Sequence, residues 1–255
     1  MPDLNPTIAG RYINTGLDFS GTTGWTTAMP HTDSTSNSAT TADNHRAQTI
    51  YTIFGYAGAT VTTSDVRCVM MSFDSSGISE APASATLKIF GHTNQETGQP
   101  SSHATNGILG LKVTGMASTT AVTTSDWGDI DLSGAGPVLY TDTLATWNIV
   151  GDATEHNIFT LNSTALTDMA DNTTFQIAIF HKFFYDHYDS NPPFAHGNNS
   201  PNGDDDFSAA AGAYFLSEAD YKPVLSYTAA ATAELTTLKV LSGNLTLKGG
   251  NLTIK

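Results

Sequence analysis

The sequence predicts an all-β protein: an antiparallel jelly-roll β-sandwich with an extended N-terminal arm and a strand-like C-terminal tail. Three observations support this prediction. The 255 residues suffice for one large β domain or two small ones, and only 13% of them are charged. Thr, Ser, Ala, Asn and Gly are abundant instead, which favours strands and turns over helices. Short β-branched and aromatic segments alternate with turn signals and show little helical periodicity.

Residues 1–46 are predicted to form an arm and a polar loop outside the sandwich. Residues 1–25 contain prolines, several glycines and only short apolar pairs, and residues 26–46 are polar and low in complexity. The opening MPDLNPTIAG lacks the basic and apolar regions of a secretory signal, so we expect no signal peptide.

Residues 47–229 are predicted to form the sandwich itself, and its first strands have clear patterns. QTIYTIFGY is rich in β-branched and aromatic residues, and alternation in DVRCVMMSF places Val69, Met71 and Phe73 on one face. SATLKIFG alternates in the same way, so its Ala, Leu and Ile side chains are expected to face the core. GILGLKVTGM is predicted to be the next strand.

The second half of the predicted sandwich contains one short helix among strands and loops. TTSDWGDIDLSGAGPVLYTD is predicted to be loop-rich with one short helical turn. Residues 157–161 are predicted to form a strand, followed by a brief helix capped by Asn162 or Ser163. TTFQIAIFHKFFYDHYD has the strongest strand composition, NPPFAHGNNSPNGDDDF is a long surface loop, and Val224–Thr228 is the closing strand.

Two stretches of the predicted sandwich resemble the DNRLRE-type domains. In the first, FDSS at residues 73–76 is followed by a proline-containing connection and SATLKIF at residues 84–90. In the second, SEA at residues 217–219 is followed by KPVLSYT at residues 222–228. The resemblance extends over about residues 47–229 and implies a jelly-roll sandwich of a kind often classed with carbohydrate-binding modules.

The charge of the chain is acidic and unevenly distributed. The formal net charge is −14; residues 1–233 carry 23 acidic and seven basic residues, whereas residues 234–255 carry one acid and three lysines. Nucleic-acid binding requires clustered Lys and Arg, and a membrane-spanning helix requires an apolar run of about 20 residues. The sequence contains neither feature, so we expect no nucleic-acid partner and no membrane partner.

No motif of an enzyme active site is present in the sequence, which contains no GxSxG, no Gly-rich phosphate loop and no HExxH. Cys68 is the single cysteine, so the chain forms no internal disulfide. It lies in the middle of a predicted strand, where a buried, unreactive thiol is expected. We therefore expect neither enzymatic activity nor a cofactor.

Two groups of residues have metal-binding chemistry. His181 and His187 are separated by about 20 Å along an extended strand, so we expect no transition-metal site. The carboxylates of Asp204, Asp205 and Asp206 offer oxygen ligands for calcium. Their spacing does not match an EF-hand loop, and a solvated turn is the preferred interpretation.

An aromatic run is a candidate glycan-binding site. Phe184, Tyr185 and Tyr188 carry flat rings that suit stacking on sugars. Part of such a run must face the core in any sandwich, so a structural role is the alternative.

Residues 230–255 are predicted to be a linker and a tail used in assembly, because GNLTLKG is followed at once by GNLTIK. Apolar residues alternate with Thr and Lys, so each copy is a half-apolar strand that needs a partner edge. The partner is a neighbouring molecule, by strand addition or three-fold intertwining of tails, or else the chain's own sandwich. The predicted assembly residues are Leu238, Val240, Leu245, Leu247, Lys248, Leu252, Ile254 and Lys255.

These observations predict a non-enzymatic structural protein of a tailed-bacteriophage virion, whose tandem tail resembles the ends of phage virion proteins in style. We expect a capsid decoration or cement protein, made in the host cytoplasm, that clamps neighbouring subunits through its terminal arms. The expected partners are the major capsid protein or another virion protein, and further copies of the chain in a homo-oligomer such as a trimer. The alternative is a glycan-binding module on a tail fibre or a cell-surface appendage.

Overall fold

The protein is mostly β-structure, with short helices between the strands. A computed structural model describes residues 2–17, 37–41, 48–57, 60–97, 107–116, 121–132, 136–144, 156–187, 208–213, 222–231, 245–248 and 251–254. The described helices are a 3-10 helix (Thr124–Ile130), α1 (Ser163–Asp171) and α2 (Lys182–His187). The described strands are β1 (Asp3–Leu4), β2 (Pro6–Leu17), β3 (Asn37–Thr41), β4 (Gln48–Ala57), β5 (Thr60–Asp74), β6 (Ser84–Ile89), β7 (Gly91–Thr97), β8 (Ile108–Lys112), β9 (Asn157–Thr160), β10 (Thr174–His181), β11 (Ser208–Ala213), β12 (Val224–Thr228), β13 (Leu245–Lys248) and β14 (Asn251–Ile254).

One layer is a four-stranded antiparallel sheet with the order β1-β12-β6-β9. Its register places four large apolar residues in one row across the sheet: Leu4 beside Leu225, Leu225 beside Leu87, and Leu87 beside Phe159. Adjacent residues of a strand point to opposite faces, so this row gives the sheet one continuous apolar face.

The second layer is an eight-stranded antiparallel sheet that branches at β5. Its main path has the order β3-β2-β5-β4-β11-β7, while β10 pairs with both β5 and β8. The first part of β5 lies beside β4, and residues 69–74 lie beside β10. Single bridges from Leu111 to Leu139 and from Ile108 to Leu144 add residues 139–144 next to β8.

The core lies between the apolar faces of the two sheets. Phe73 of β5 and Phe175 of β10 are fully buried with ring centroids 6.5 Å apart, and they share one cluster with Leu87 and Phe159 of the four-stranded sheet. The predicted inward faces of β5 and β6 are confirmed, because their alternating apolar residues all belong to this cluster. These residues are Val69, Met71, Phe73, Ala85, Leu87 and Ile89.

The other face of β5 is also buried. Cys68 and Met70 have no exposed surface. Trp127 of the 3-10 helix is 1% exposed and packs on Phe180 of β10, with ring centroids 5.9 Å apart. Burial, followed by the nearby charge of Asp126, raises the pKa of the Cys68 thiol, so the prediction of a buried thiol is confirmed.

The predicted N-terminal arm is instead part of the sandwich where the structure describes it. β1 pairs with β12, and β2 pairs with β5 along most of its length. Ile8 and Ala9 are buried in the sheet, so their apolar side chains hold this segment in place. Residues 37–41, predicted to be part of a polar loop, form β3 beside β2. Prolines and polar residues at sheet edges concealed these strands from the sequence pattern.

The predicted strand segment of residues 173–189 contains a strand that ends earlier than expected. β10 stops at His181, and Lys182–His187 forms helix α2. The Lys182 ammonium donates a hydrogen bond to the Asp186 carboxylate one helical turn later, and the Lys182 N–H donates to the carbonyl of Gly107 at 2.8 Å. An ion pair at this spacing supports a helix by about 0.2–0.5 kcal/mol, so it favours the helix that follows the strand.

We predict that shortening Leu87 to Ala lowers the free energy of unfolding by about 2–5 kcal/mol, because it leaves a cavity between the sheets. The measurement is urea denaturation. Thr86 is the matched control on the opposite face of the same strand, and its change to Ala should stay within about 0.5 kcal/mol. Equal effects of the two substitutions would contradict the assigned faces.

Candidate functional site

A polar cleft of about 350 Å³ lies where helix α1, the end of β8 and the start of β10 meet. Val113 and Phe175 contribute apolar wall, and the remaining lining is mostly polar. The polar groups that concern its chemistry belong to Lys112, Thr114, Tyr140, Asp168, Asn172 and Gln176.

The carboxylate of Asp168 is the centre of this cleft. Its Oδ2 atom accepts a hydrogen bond from Lys112 Nζ at 2.6 Å and another from the Tyr140 hydroxyl at 2.5 Å. The side chains of Lys112 and Asp168 are 30% and 16% exposed, so the pair lies at the edge of the core. Hydrogen bonds to a charged partner are stronger than neutral ones. These two bonds therefore tie helix α1 to β8 and to residues 139–144.

Helix α1 is placed for this contact by Asn162, the residue that precedes it. The side chain of Asn162 accepts a hydrogen bond from the N–H of Ala165 at 3.1 Å, which caps the helix as predicted. The same side chain donates to the carbonyl of Leu139 at 2.7 Å, and the Asn162 N–H donates to the carbonyl of Tyr140 at 2.8 Å. The helix start is thus fixed beside the segment that carries Tyr140, with Asp168 on the same side.

Tyr140 acts as a hydrogen-bond donor in this cluster. The residue is 2% exposed, and its ring stacks on Phe175 with centroids 5.2 Å apart and planes at 18°. Burial, followed by the hydrogen bond and charge of Asp168, raises the pKa of the phenol above its usual value. The hydroxyl therefore stays protonated at neutral pH and donates its proton to the Asp168 carboxylate.

The turn after β5 is hydrogen-bonded to two residues of the cleft lining. Asp74 Oδ1 accepts hydrogen bonds from the hydroxyl and the N–H of Ser76, which lower the pKa of the Asp74 carboxyl. Ser75 donates its hydroxyl to the carbonyl of Asn172 at 2.6 Å and its N–H to the carbonyl of Thr173 at 3.0 Å. The turn is thereby attached to the residues that join α1 to β10.

A pair of carboxylates lies on the 3-10 helix, next to the cleft, and the carbonyl of Asp129 accepts hydrogen bonds from Thr114 of the cleft lining. Asp126 is fully buried, and its Oδ2 atom accepts a hydrogen bond from the N–H of Thr123 at 2.6 Å. Burial and the negative charge of Asp126 together raise the pKa of Asp129 to about 6. This is a source of pH-dependent stability, because the folded protein disfavours the ionised form of Asp129.

The copied tail strands pair with each other. β13 and β14 form a separate two-stranded antiparallel sheet, with Leu245 opposite Ile254 and Leu247 opposite Leu252. We call this pair the C-terminal hairpin. Each strand thus pairs with the other copy on one of its edges. We had expected the partner edge to come from a neighbouring molecule or from the sandwich. Of the other predicted assembly residues, Lys248 lies in β13, whereas Leu238, Val240 and Lys255 lie outside the described residues.

The sequence contained a signal for this pairing. Gly249 and Gly250 stand between Lys248 and Asn251, which are the paired ends of the two strands. Two glycines between strand-like segments are a common hairpin connection, because glycine adopts the positive φ angles that such turns require.

The aromatic run is only partly described. Tyr185 is half-buried and lies in helix α2. The sequence had predicted a strand at this position. Phe184 also lies in α2, and Tyr188 lies outside the described residues. The proposed stacking of these rings on a sugar stays a prediction.

The metal candidates remain untested. Asp204, Asp205 and Asp206 lie outside the described residues, and His181 and His187 lie at the ends of β10 and α2. Within the described residues, no group of three His, Cys, Asp or Glu side chains is arranged to hold a metal ion.

Sequence reasoning missed Lys112, Tyr140 and Asp168 as a group. Tyr140 is 28 residues from Asp168 in the sequence, and Lys112 is 56 residues from it. Each of the three residues belongs to a different part of the fold. The only local signal was Lys112, a charged residue at the end of an otherwise apolar strand.

The comparisons with known proteins give no family for this chain. No family model matches the sequence, and no curated protein is significantly similar to it. The resemblance to DNRLRE-type domains therefore stays a prediction. No helix in the described part of the chain is long and apolar enough to cross a membrane.

We predict that Tyr140→Phe lowers the free energy of unfolding by about 1.5–3 kcal/mol, because it removes a hydrogen bond to a charged, partly buried carboxylate. Chemical denaturation measures the change. Tyr227→Phe is the control, since Tyr227 is half-buried and its hydroxyl bonds no described charged group. A loss no greater than that of the control would mean that the bond contributes no net stability.

We predict that Asp129→Asn stabilises the protein at about pH 7 and has little effect well below about pH 4. The folded-state pKa of about 6 lies above the ordinary 3.8. The group therefore lowers stability above its folded pKa, and this penalty disappears as the pH falls toward the unfolded pKa. Urea midpoints across this range test the prediction, with the exposed Asp142→Asn as a control of equal charge change. The prediction is refuted if the urea midpoint of Asp129→Asn depends on pH in the same way as that of the wild type.

Proposed function

We propose that this protein is a non-enzymatic structural protein of a bacteriophage virion, a capsid decoration protein that attaches through its C-terminal hairpin. The observation that carries the proposal is the separate two-stranded sheet of β13 and β14. Its register puts Leu and Ile residues opposite one another at two positions, and Thr246 opposite Thr253 at the position between them. Because strand residues alternate between faces, one face of the hairpin is apolar and the other is polar.

A hairpin of this kind needs a surface to cover it. Two strands alone are marginally stable in water. Full burial of one Leu or Ile side chain contributes about 1.5–3 kcal/mol, and the apolar face of the hairpin has four such residues. Contact of this face with another subunit would stabilise the hairpin and attach the protein at the same time. The proposed partners are the major capsid protein or another virion protein, and further copies of this chain.

The strand order supports a jelly roll as the body of the protein. We number β1, β5, β6, β8, residues 139–144, β9, β10 and β12 from one to eight in chain order. One sheet then has the order 1-8-3-6, and the core of the other has the order 2-7-4-5. This alternation between sheets is the one expected for the double Greek key of a jelly roll, a fold frequent in viral structural proteins and lectins. β2, β3, β4, β7 and β11 extend the second sheet.

Two further observations favour the proposal. Where the structure describes them, the stretches that resemble DNRLRE-type domains fall on β5, the turn after it, β6 and β12, and β6 pairs with β12. The charge distribution suits a repeated assembly, since acidic bodies repel one another until a specific contact is made. Many copies on one particle would also make weak contacts effective, because each bound copy raises the local concentration of the next.

We predict that Leu247→Lys abolishes self-association or attachment to the virion, because it places a charge on the apolar face of the hairpin. Thr246→Lys is the matched control, with the same charge on the neighbouring residue and the opposite face. Sedimentation velocity and co-sedimentation with particles are the measurements. Equal behaviour of the two variants would contradict attachment through this face.

We predict that a chain lacking residues 234–255 keeps a folded sandwich and loses attachment. The sandwich strands make their pairs without the hairpin, so the truncated protein should unfold at nearly the same urea concentration as the full chain. If attachment survives the truncation, the sandwich surface is the binding element, and the proposal is contradicted.

A further inference from the structure

The outer face of the eight-stranded sheet, which points away from the four-stranded sheet, is apolar and buried. By register, Ala178 of β10 lies beside Met70 of β5 and Leu111 of β8, and Phe180 lies beside Leu109. Residues paired in this way share a face of the sheet. All five are 0 or 1% exposed, and none belongs to the core cluster between the two sheets. This face therefore forms a second apolar layer that needs a cover of its own.

Residues 121–132 provide a described part of that cover, and we call them the strap. Its Trp127 packs on Phe180, with ring centroids 5.9 Å apart. The other large apolar residues of the strap are also buried, namely Val122, Ile130 and Leu132. The strap is joined to the end of β8 by Thr114, whose N–H and hydroxyl donate to the carbonyl of Asp129 at 2.9 and 3.0 Å.

Two carboxylates lie one above the other in the strap. Three residues complete a turn of a 3-10 helix, so side chains three apart are eclipsed, and Asp126 and Asp129 have this spacing within Thr124–Ile130. Asp126 is fully buried and accepts the N–H of Thr123 at 2.6 Å. Ionisation of Asp129 thus places a second negative charge beside a buried one, at the residue whose carbonyl anchors the strap.

The other titratable groups around the strap do not change charge in the same pH range. Cys68 lies beneath it on β5, and Tyr12 of β2 is opposite Cys68 in the register. Thiols and phenols ordinarily titrate above about pH 8. β3 has no titratable residue, and the residues of β8 and β10 named above are apolar. Asp131 is a further carboxylate of the strap, but only burial and the charge of Asp126 raise the pKa of Asp129, to about 6.

We propose that the strap is a pH-sensitive cover, which closes over the outer face when Asp129 is protonated and loosens when Asp129 is ionised beside Asp126. Loosening would separate Trp127 from Phe180 and give solvent access to Cys68. The pKa of Asp129 is about 6 with the strap closed, against an ordinary 3.8. The closed strap therefore loses stability as the pH rises from about 4 to about 6, and the opening equilibrium increases by up to about a hundredfold. This local opening does not depend on attachment through the C-terminal hairpin.

The rate at which 4,4′-dithiodipyridine modifies Cys68 in the full-length chain tests the proposal. Each rate is divided by that of a peptide of residues 64–72 at the same pH, which cancels the pH dependence of the thiol itself. The ratio should rise about tenfold from pH 5 to pH 7. Asp129→Asn should remove this rise. Asp131→Asn is the matched control on the same strap and should keep it, since asparagine tolerates the φ of 54° at this position.

A further variant separates local opening from global unfolding. If Cys68 reacts only in the unfolded chain, Leu87→Ala should accelerate its modification by more than about tenfold, because it weakens the core between the sheets. Local opening of the strap predicts a rate close to that of the wild type. The proposal is overturned if Leu87→Ala gives that acceleration, if Asp129→Asn keeps the rise, or if the wild-type ratio does not rise. The wild-type ratio and Leu87→Ala test the proposal even if Asp129→Asn does not fold.

Discussion

The burial of two apolar sheet faces against each other is the constraint on which the rest of the structure depends. Leu4, Leu225, Leu87 and Phe159 form one row across the four-stranded sheet. The facing sheet contributes Phe73 and other aromatic and branched side chains to the same cluster. Because a shift of one residue in any of these strands would turn its apolar side chains to solvent, the core also fixes the register of the strands that carry the cleft.

The polar cleft lies at the edge of this core. Helix α1 connects β9 of one sheet to β10 of the other, and it covers the core with Ala165 and Met169. Asp168 lies on the same helix at the edge of the core, where a charged group requires partners. Lys112 and Tyr140 provide them at a single oxygen atom. Both bonds from the described residues thus hold the helix through the same oxygen atom.

The sequence predicted the parts of the fold that depend on local pattern. Alternation identified β5 and β6, and Asn162 marked the start of α1, because strand periodicity and helix capping are properties of neighbouring residues. It did not predict β7 or β11, whose polar and Ala-rich sequences lack strand character, since these strands form through their neighbours in the sheet. The Asp168 cluster was missed for the same reason, because long-range register alone brings its members together.

The function proposed for this protein depends on the C-terminal hairpin being covered by a surface outside its own sandwich. Amide hydrogen exchange of the full chain, compared between the dilute protein and assembled particles, measures this directly. Residues 245–248 and 251–254 should exchange rapidly in the dilute protein and slowly in the assembly, whereas β6 and β12 should be protected equally in both. Slow exchange of the hairpin in the dilute, monomeric protein would show that it is covered by its own chain and would contradict the proposal.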